Sequence, residues 1–251
     1  MSNPPNRTLA WDACLNIRDL GGYPIANGGV TRWGTLLRGD TLTRLSCTGR
    51  AALIDYGVRT IIDLRSPGEI ATDRHPFAES SSGIAYHSLP LFADHDPQNA
   101  DWISTAYSLA EVYEVTLAQS QDRITNVLRT IATADSGTVL FHCHAGKDRT
   151  GLIAMFLLAI AGVPDQAIIA DYALSDQNLA LLHNEILARF ADQPERQQQL
   201  ERLLRTNPEY MHTTLQLLRE RHGGSLSYLS SAGLTMPEID LLRQRLTPNE
   251  R

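Results

Sequence analysis

Four short stretches carry apolar side chains at strand length and are bounded by turn residues: Val30–Leu37, Val58–Leu64, Ile84–Leu89 and Thr138–His142. Each is predicted as a strand, with Val58–Leu64 and Thr138–His142 buried. Ser46 is placed to cap a helix that ends near Gly57. The segment Pro90–Gly137 has mostly helical character. From Leu152 to Ile160 every residue is apolar, so that helix belongs inside the core and packs on all sides. Asn207-Pro208-Glu209 opens a further helix, and Arg219, Arg221 and His222 meet its negative end before Gly223. Thr235-Met236-Pro237-Glu238 has the form of a capping box, with Ile239, Leu242 and Leu246 on one face behind it. Strands separated by helices imply an α/β layer architecture with a central sheet. The pattern reads as one domain over residues 1–251 with helical additions.

Composition narrows the function classes. The chain has 251 residues, 43% hydrophobic and 20% charged, which is ordinary for a folded globule and long enough for a sizeable core. Its 22 basic and 28 acidic residues leave a net charge of −6, which argues against a nucleic-acid partner. Three scattered cysteines, Cys14, Cys47 and Cys143, do not make a disulfide framework, so a cytoplasmic setting is the default expectation. The first residues hold no basic stretch followed by an apolar one, and no signal peptide is expected. The longest uncharged apolar run, Gly151–Val163, has 13 residues. A bilayer span needs about 20, so no membrane insertion is predicted.

The chemistry concentrates in one segment, His142-Cys143-His144-Ala145-Gly146-Lys147-Asp148-Arg149-Thr150-Gly151. A predicted strand enters it and the apolar helix leaves it. That geometry aims backbone N–H groups and the positive helix end at one point, where an oxyanion binds. A cysteine there titrates well below its usual range of about 8.5 and acts as a thiolate nucleophile. Arg149 offers a planar fork that matches two phosphoryl oxygens. Gly146 permits close backbone approach. Thr150 is placed to give its hydroxyl to the leaving thiolate, and His142 to orient the loop. An inert cysteine in a tight turn is the bland alternative, but it leaves the charges of Lys147 and Arg149 without purpose. Metal binding by His142, Cys143 and His144 is disfavoured, because alternate strand residues face opposite ways. The reading needs a sulfur not buried beneath packed side chains and a guanidinium turned toward it.

This segment resembles the phosphate loop of the bacterial atypical, dual-specificity protein tyrosine phosphatases with an HCxxGKDRTG signature, a family that includes secreted mycobacterial members and related lipid phosphatases. Asn16-Ile17-Arg18-Asp19-Leu20-Gly21-Gly22, Leu36-Leu37-Arg38-Gly39-Asp40, Ile62-Asp63-Leu64-Arg65 and Asp171-Tyr172-Ala173-Leu174-Ser175 resemble further blocks of that family. Ile17 stands where an aromatic is usual, and His144 where a smaller residue is usual. The resemblance implies a tyrosine phosphatase-like fold, a central mainly parallel sheet flanked by helices. It implies a helical lid around residues 99–134; ordinary core packing of Trp102, Tyr107, Val112 and Val115 is the competing view.

The implied reaction is hydrolysis of a phosphate monoester through a cysteinyl phosphate, with no metal or organic cofactor. Cys143 is then the nucleophile and Arg149 the holder of the equatorial oxygens, with His144, Ala145, Gly146, Lys147 and Thr150 around the phosphate. A carboxylic acid must protonate the leaving oxygen. Asp148 is the first candidate, Asp63 the second, and Asp94 and Asp96 the third; a solvated or salt-bridged carboxylate competes for each, with Arg65 or Arg18 as partner for Asp63. Lys147 adds charge for a multiply phosphorylated substrate, or pairs with Asp148. The expected partner is a phosphotyrosine protein, with a phosphoinositide as the alternative. A binding module without turnover and a sulfurtransferase are the rivals from other classes. Related proteins exported without a leader make the cytoplasmic setting only a default.

Overall fold

A computed structural model describes residues 6–79, 83–92 and 108–248. Five strands form one sheet: β1 (Arg18–Asp19), β2 (Leu36–Gly39), β3 (Val58–Asp63), β4 (Ala85–Ser88) and β5 (Thr138–His142). Their order is β1-β2-β5-β3-β4, with β1 antiparallel and the rest parallel. Parallel strands need long crossovers, and the helices between them supply these. β5 lies at the centre and is buried along its whole length, as a strand covered on both faces must be.

Neighbouring side chains on each strand enter different cores. Leu36, Ile62, Val139 and Phe141 join the larger apolar cluster. Leu37, Ile61 and Leu140 join the smaller one on the opposite face. The smaller cluster includes Leu53 of α1 (Cys47–Asp55), which Ser46 caps as expected and which ends before Gly57 in the left-handed region. The larger is built by α3 (Leu109–Gln119), α4 (Gln121–Thr133) and α5 (Arg149–Ile160), closed by α9 (Pro208–His222), α10 (Ser225–Ser231) and α11 (Met236–Leu246). In α5 all residues except Arg149 and Ala159 are buried, which is why its sequence has no polar face. The Asn207 cap, the left-handed Gly223 stop and the Thr235–Glu238 capping box are all present. Three more helices, α2 (Pro67–Thr72), α6 (Asp165–Asn178) and α7 (Ala180–Ala188), frame the site together with α8 (Pro194–Leu204). The α/β layout with a central sheet is the one read from the pattern, and its mainly parallel strands are what the family resemblance implied.

Two expectations need correction or narrowing. The first strand was placed at Val30–Leu37, but regular pairing runs over Leu36–Gly39, and Val30 makes only an isolated bridge to Pro24. The chain turns between them at Gly34, whose φ is +71° and whose N–H is held by the Asp19 carboxylate. In the predicted helical stretch, Val112 of α3 is buried in the main core and Val115 is half-buried. Trp102 and Tyr107 lie outside the described residues, as do Asp94 and Asp96. Among the described residues no helix is long and apolar enough to cross a membrane.

Candidate active site

Register places the site. Gly39 and Asp63 both stand beside His142, so three parallel strands end together where the chain leaves β5. Ligands collect beyond the carboxyl ends of such strands. The loop Cys143–Asp148 follows, and α5 begins at Arg149.

The loop is held from behind by its own carbonyls. His142 O accepts from Leu64 N–H at 2.8 Å and His144 O from Thr41 N–H at 2.9 Å. Ala145 O accepts from the Asn16 amide at 3.0 Å, and Gly146 O from Arg38 at 2.8 Å. Asp148 O accepts the first helical bond, from Leu152 N–H. Among the described residues no oxygen accepts from the N–H groups of His144 to Asp148. With every acceptor drawn outward, the donors are left for an anion. Gly146 makes this curvature feasible: its φ is +69°, and a Cβ there would lie 2.3 Å from Gly39 O.

The residues doing the holding come from the other sequence blocks. Arg18 and Arg38 are fully buried and share the Asp171 carboxylate, at 2.8 and 2.5 Å. Arg18 also binds Asn16 Oδ1 and Ser175 Oγ, while Asp40 accepts the N–H groups of Leu15 and Asn16. Burial opposes the charge of Asp171, but the two guanidiniums hold its carboxyl well below the usual range.

Cys143 has 2% of its surface exposed. That departs from the open sulfur the sequence reading required. Its neighbours along the loop are less buried: His144 is exposed, and Ala145, Asp148 and Arg149 are half-buried. Arg149 carries an electrostatic interaction with Cys143. Its Nη1 and Nη2 donate to Glu69 of α2 at 2.5 and 2.8 Å. Glu69 thereby uses the end of the guanidinium fork and leaves the Nε edge for two phosphoryl oxygens. Burial would raise the Glu69 carboxyl, but Arg149 brings it down to about 2. Thr150 Oγ is buried without a hydrogen-bond partner. A buried orphan hydroxyl costs about 1–3 kcal/mol, which fits a donor waiting for an anionic partner.

Asp148 is half-buried at the mouth. It accepts from Lys147 Nζ at 2.7–2.8 Å and from Tyr113 OH at 2.5 Å. Lys147 also donates to Leu203 O at the end of α8 and is itself buried. The pairing reading of Lys147 describes this geometry; its ammonium is engaged on the protein side.

Asp63 is fully buried and bound by Arg65 through Nε and Nη2, at 2.7–3.1 Å. Burial works against its charge, yet the His142 imidazole and Arg65 lower it to about 2. A carboxylate so saturated is a structural partner of Arg65, not an acid for the leaving group. Arg18, the other partner considered, binds Asp171 instead.

His142 is bonded to the start of the loop: its Nδ1 lies 3.0 Å from Cys143 O and its Nε2 3.2 Å from His75 Nε2. Phe77 N–H donates to His75 Nδ1, so His75 donates to His142, which donates to Cys143 O. Burial lowers both imidazoles, His75 to about 3, and keeps this chain neutral. Asp63, His75 and His142 offer ligand atoms within 4.8 Å of one another, the best arrangement for a metal ion among the described residues. Their lone pairs are already used by Arg65, Tyr86 OH and each other. His142, Cys143 and His144, the metal set disfavoured from the sequence, do not form such a cluster among the described residues.

A family model described as the tyrosine phosphatase family matches residues 9–248. The chain belongs to the tyrosine phosphatase family. A Nostoc commune tyrosine-protein phosphatase is 33% identical over 84% of this chain and 73% of its own length. A Cupriavidus necator protein, named as a candidate tyrosine-protein phosphatase, is 32% identical over 94% and 86%. The triple specificity protein phosphatase PtpB of Mycobacterium tuberculosis is 27% identical over 84% and 90%. Among solved structures, P. aeruginosa TpbA is similar over 55% of this chain and 68% of its own, with 22% identity and a TM-score of 0.35. This phosphatase is therefore a hydrolase.

Sequence reasoning missed Glu69, His75, Tyr113 and Tyr172 as parts of the site. Glu69 had a readable signal: Ser66-Pro67-Gly68-Glu69 is a capping box, and both its bonds form. His75 and Tyr113 come from other elements with nothing in local spacing to mark them, and Tyr172, though inside the Asp171–Ser175 block, was not read as part of the site.

Proposed function

We propose that this phosphatase hydrolyses phosphate monoesters through a cysteinyl-phosphate intermediate, with protein phosphotyrosine as the main substrate. Cys143 attacks phosphorus and Arg149 grips two phosphoryl oxygens through its free edge. The loop N–H groups take the rest of the charge, as preorganised donors do most cheaply. Asp148 protonates the departing oxygen and then accepts the proton of the attacking water. Thr150 gives its hydroxyl to the thiolate when the second step releases it.

One observation carries this reading: the loop carbonyls all bond outward while its N–H groups stay unpaired around Cys143. A sulfur only 2% exposed favours an aryl phosphate, which reaches further than phosphoserine. The relative named for triple specificity supports extending the range to phosphoserine, phosphothreonine and phosphoinositides. The working setting we infer is cytoplasmic.

Cys143→Ser tests the chemistry. Turnover of p-nitrophenyl phosphate should vanish while inorganic phosphate still binds by calorimetry. A wild-type protein that binds phosphate without turnover would make the site a recognition module. Rates on phosphotyrosine peptides against inositol phospholipids then rank the substrates.

A further inference from the structure

Behind Asp148 lie two buried phenols that no sequence block announced as a pair. Tyr113, from α3, is 1% exposed, and so is Tyr172, from α6. Their hydroxyls are 2.7 Å apart, and the Tyr113 hydroxyl is 2.5 Å from Asp148 Oδ1. The rings meet edge to face, with centroids 6.1 Å apart. Tyr172 is seated against the start of α5, since a Cβ on Gly151 would come within 3.2 Å of its ring.

Each phenol has one proton, and that fixes the direction. Tyr113 donates to Asp148, so Tyr172 donates to Tyr113. We propose that Tyr113 is a positioning residue for Asp148, and that Tyr172 and Tyr113 form a two-hydroxyl relay serving both protonation states of that carboxylate. While Asp148 is ionised, the bonds run from Tyr172 to Tyr113 to Asp148. Between turnovers the proton of Asp148 can rest on Oδ1, both rotors turned so that the bonds run from Asp148 to Tyr113 to Tyr172; when the ester oxygen takes that proton the rotors turn back and Tyr113 donates again. The oxygens stay in place, so the acid keeps its aim through the cycle. No net proton leaves the tyrosines. Asp148 gives its proton to the ester oxygen as the S–P bond forms and the O–P bond breaks. It regains one from water as the new O–P bond forms and S–P breaks.

The surrounding charges set the balance. Lys147 and Arg149 face Asp148 from its own segment, and His183 of α7 also interacts with it. Behind Tyr172 stand Arg38 and Tyr210. Burial and the Asp148 charge push both phenols well above their usual range, so they act as neutral donors and acceptors. Lys147 can only donate. Tyr113 is thus the partner of Asp148 able to accept as well.

The proposal rests on the reading of Asp148 as the acid, so both are tested in the full-length enzyme on a series of aryl phosphates from dinitrophenyl to phenyl. Tyr113→Phe should slow phenyl phosphate about tenfold and leave the dinitrophenyl ester nearly unchanged. The bond to the ionised carboxylate is charge-assisted and the stronger of the two that Tyr113 makes, so losing both should move the alkaline limb of kcat up by about half a pH unit. Tyr172→Phe should act in the same direction with a smaller effect. Phosphate inhibition should be unchanged in both, and if Tyr113→Phe does not fold, Tyr172→Phe decides. Equal losses on all esters with an unmoved pH limb would reduce the pair to packing. If Asp148→Asn shows the leaving-group dependence and neither tyrosine variant does, the relay alone fails. If Asp148→Asn shows none, the acid assignment fails and takes the relay with it.

Discussion

The two sides of the phosphate loop are charged in opposite styles. On the inner side, two fully buried guanidiniums, Arg18 and Arg38, share one carboxylate, Asp171. On the outer side each cation has its own half-exposed acid: Arg149 has Glu69, and Lys147 has Asp148. The inner side carries an excess of positive charge that solvent cannot screen, and its guanidinium donors, the unpartnered Arg38 Nε apart, bond to oxygens of the buried scaffold and the loop. The outer side is balanced until a dianion arrives. A scaffold must not exchange partners, whereas groups that bind and release a product must. Burial separates the two roles more cleanly than residue type, since arginine and aspartate serve in both.

The sharpest way to break the comparison is Asp171→Asn. It leaves two buried guanidiniums without their carboxylate, and breaking such a pair costs about 3–5 kcal/mol. Urea unfolding should show that loss, together with failure to bind phosphate, because Arg38 also holds Gly146 O. Unchanged stability would mean that backbone packing alone shapes the loop.

Arg149→Lys should do the reverse. The fold loses only a partly exposed ion pair, worth at most about 1 kcal/mol. Activity should fall about 10²–10³-fold, since an ammonium cannot reproduce two parallel bonds to the phosphoryl oxygens. Steady-state rates and urea midpoints measured on the same preparation check both halves. A stability loss matching that of Asp171→Asn would place Arg149 in the scaffold.

How much of this was legible in the sequence follows the same division. The Cys143–Gly151 segment was readable because local geometry, strand then loop then helix, forces its residues together. The inner arginines were visible as motif blocks, but their shared use of Asp171 was not, because partners 133 and 153 residues apart leave no trace in spacing. Val30–Leu37 was misjudged as a strand because the turn at Gly34 depends on Asp19, a tertiary contact. For Asp63 the sequence offered an acid or a salt-bridged carboxylate with Arg65 or Arg18, and the choice between the two arginines needed the fold, where Arg65 wraps it. The helices of 109–133 carry their apolar spacing openly, yet Tyr113 among them faces the site, a direction fixed only by how α3 packs.

The smallest predicted effect concerns Glu69. Glu69→Gln keeps a side chain able to complete the capping box at the start of α2, so only the charge is removed. The wild-type carboxyl titrates near 2 in the folded chain, below its ordinary 4.5. A carboxyl lowered by folding stabilises the native state above its unfolded value, and that contribution is lost as pH falls toward the folded one. Wild type should therefore exceed the variant by at most about 1 kcal/mol near neutrality, with the gap closing below about pH 4.5. Phosphate should bind the variant two- to threefold more tightly, because a carboxylate no longer competes for the guanidinium, while kcat drops about as much because Arg149 is less well aimed. Thermal melts between about pH 7 and pH 3 and phosphate inhibition measure the two effects. A gap independent of pH would show that hydrogen-bond geometry rather than charge ties Glu69 to Arg149, and the outer pair would then belong with the inner one.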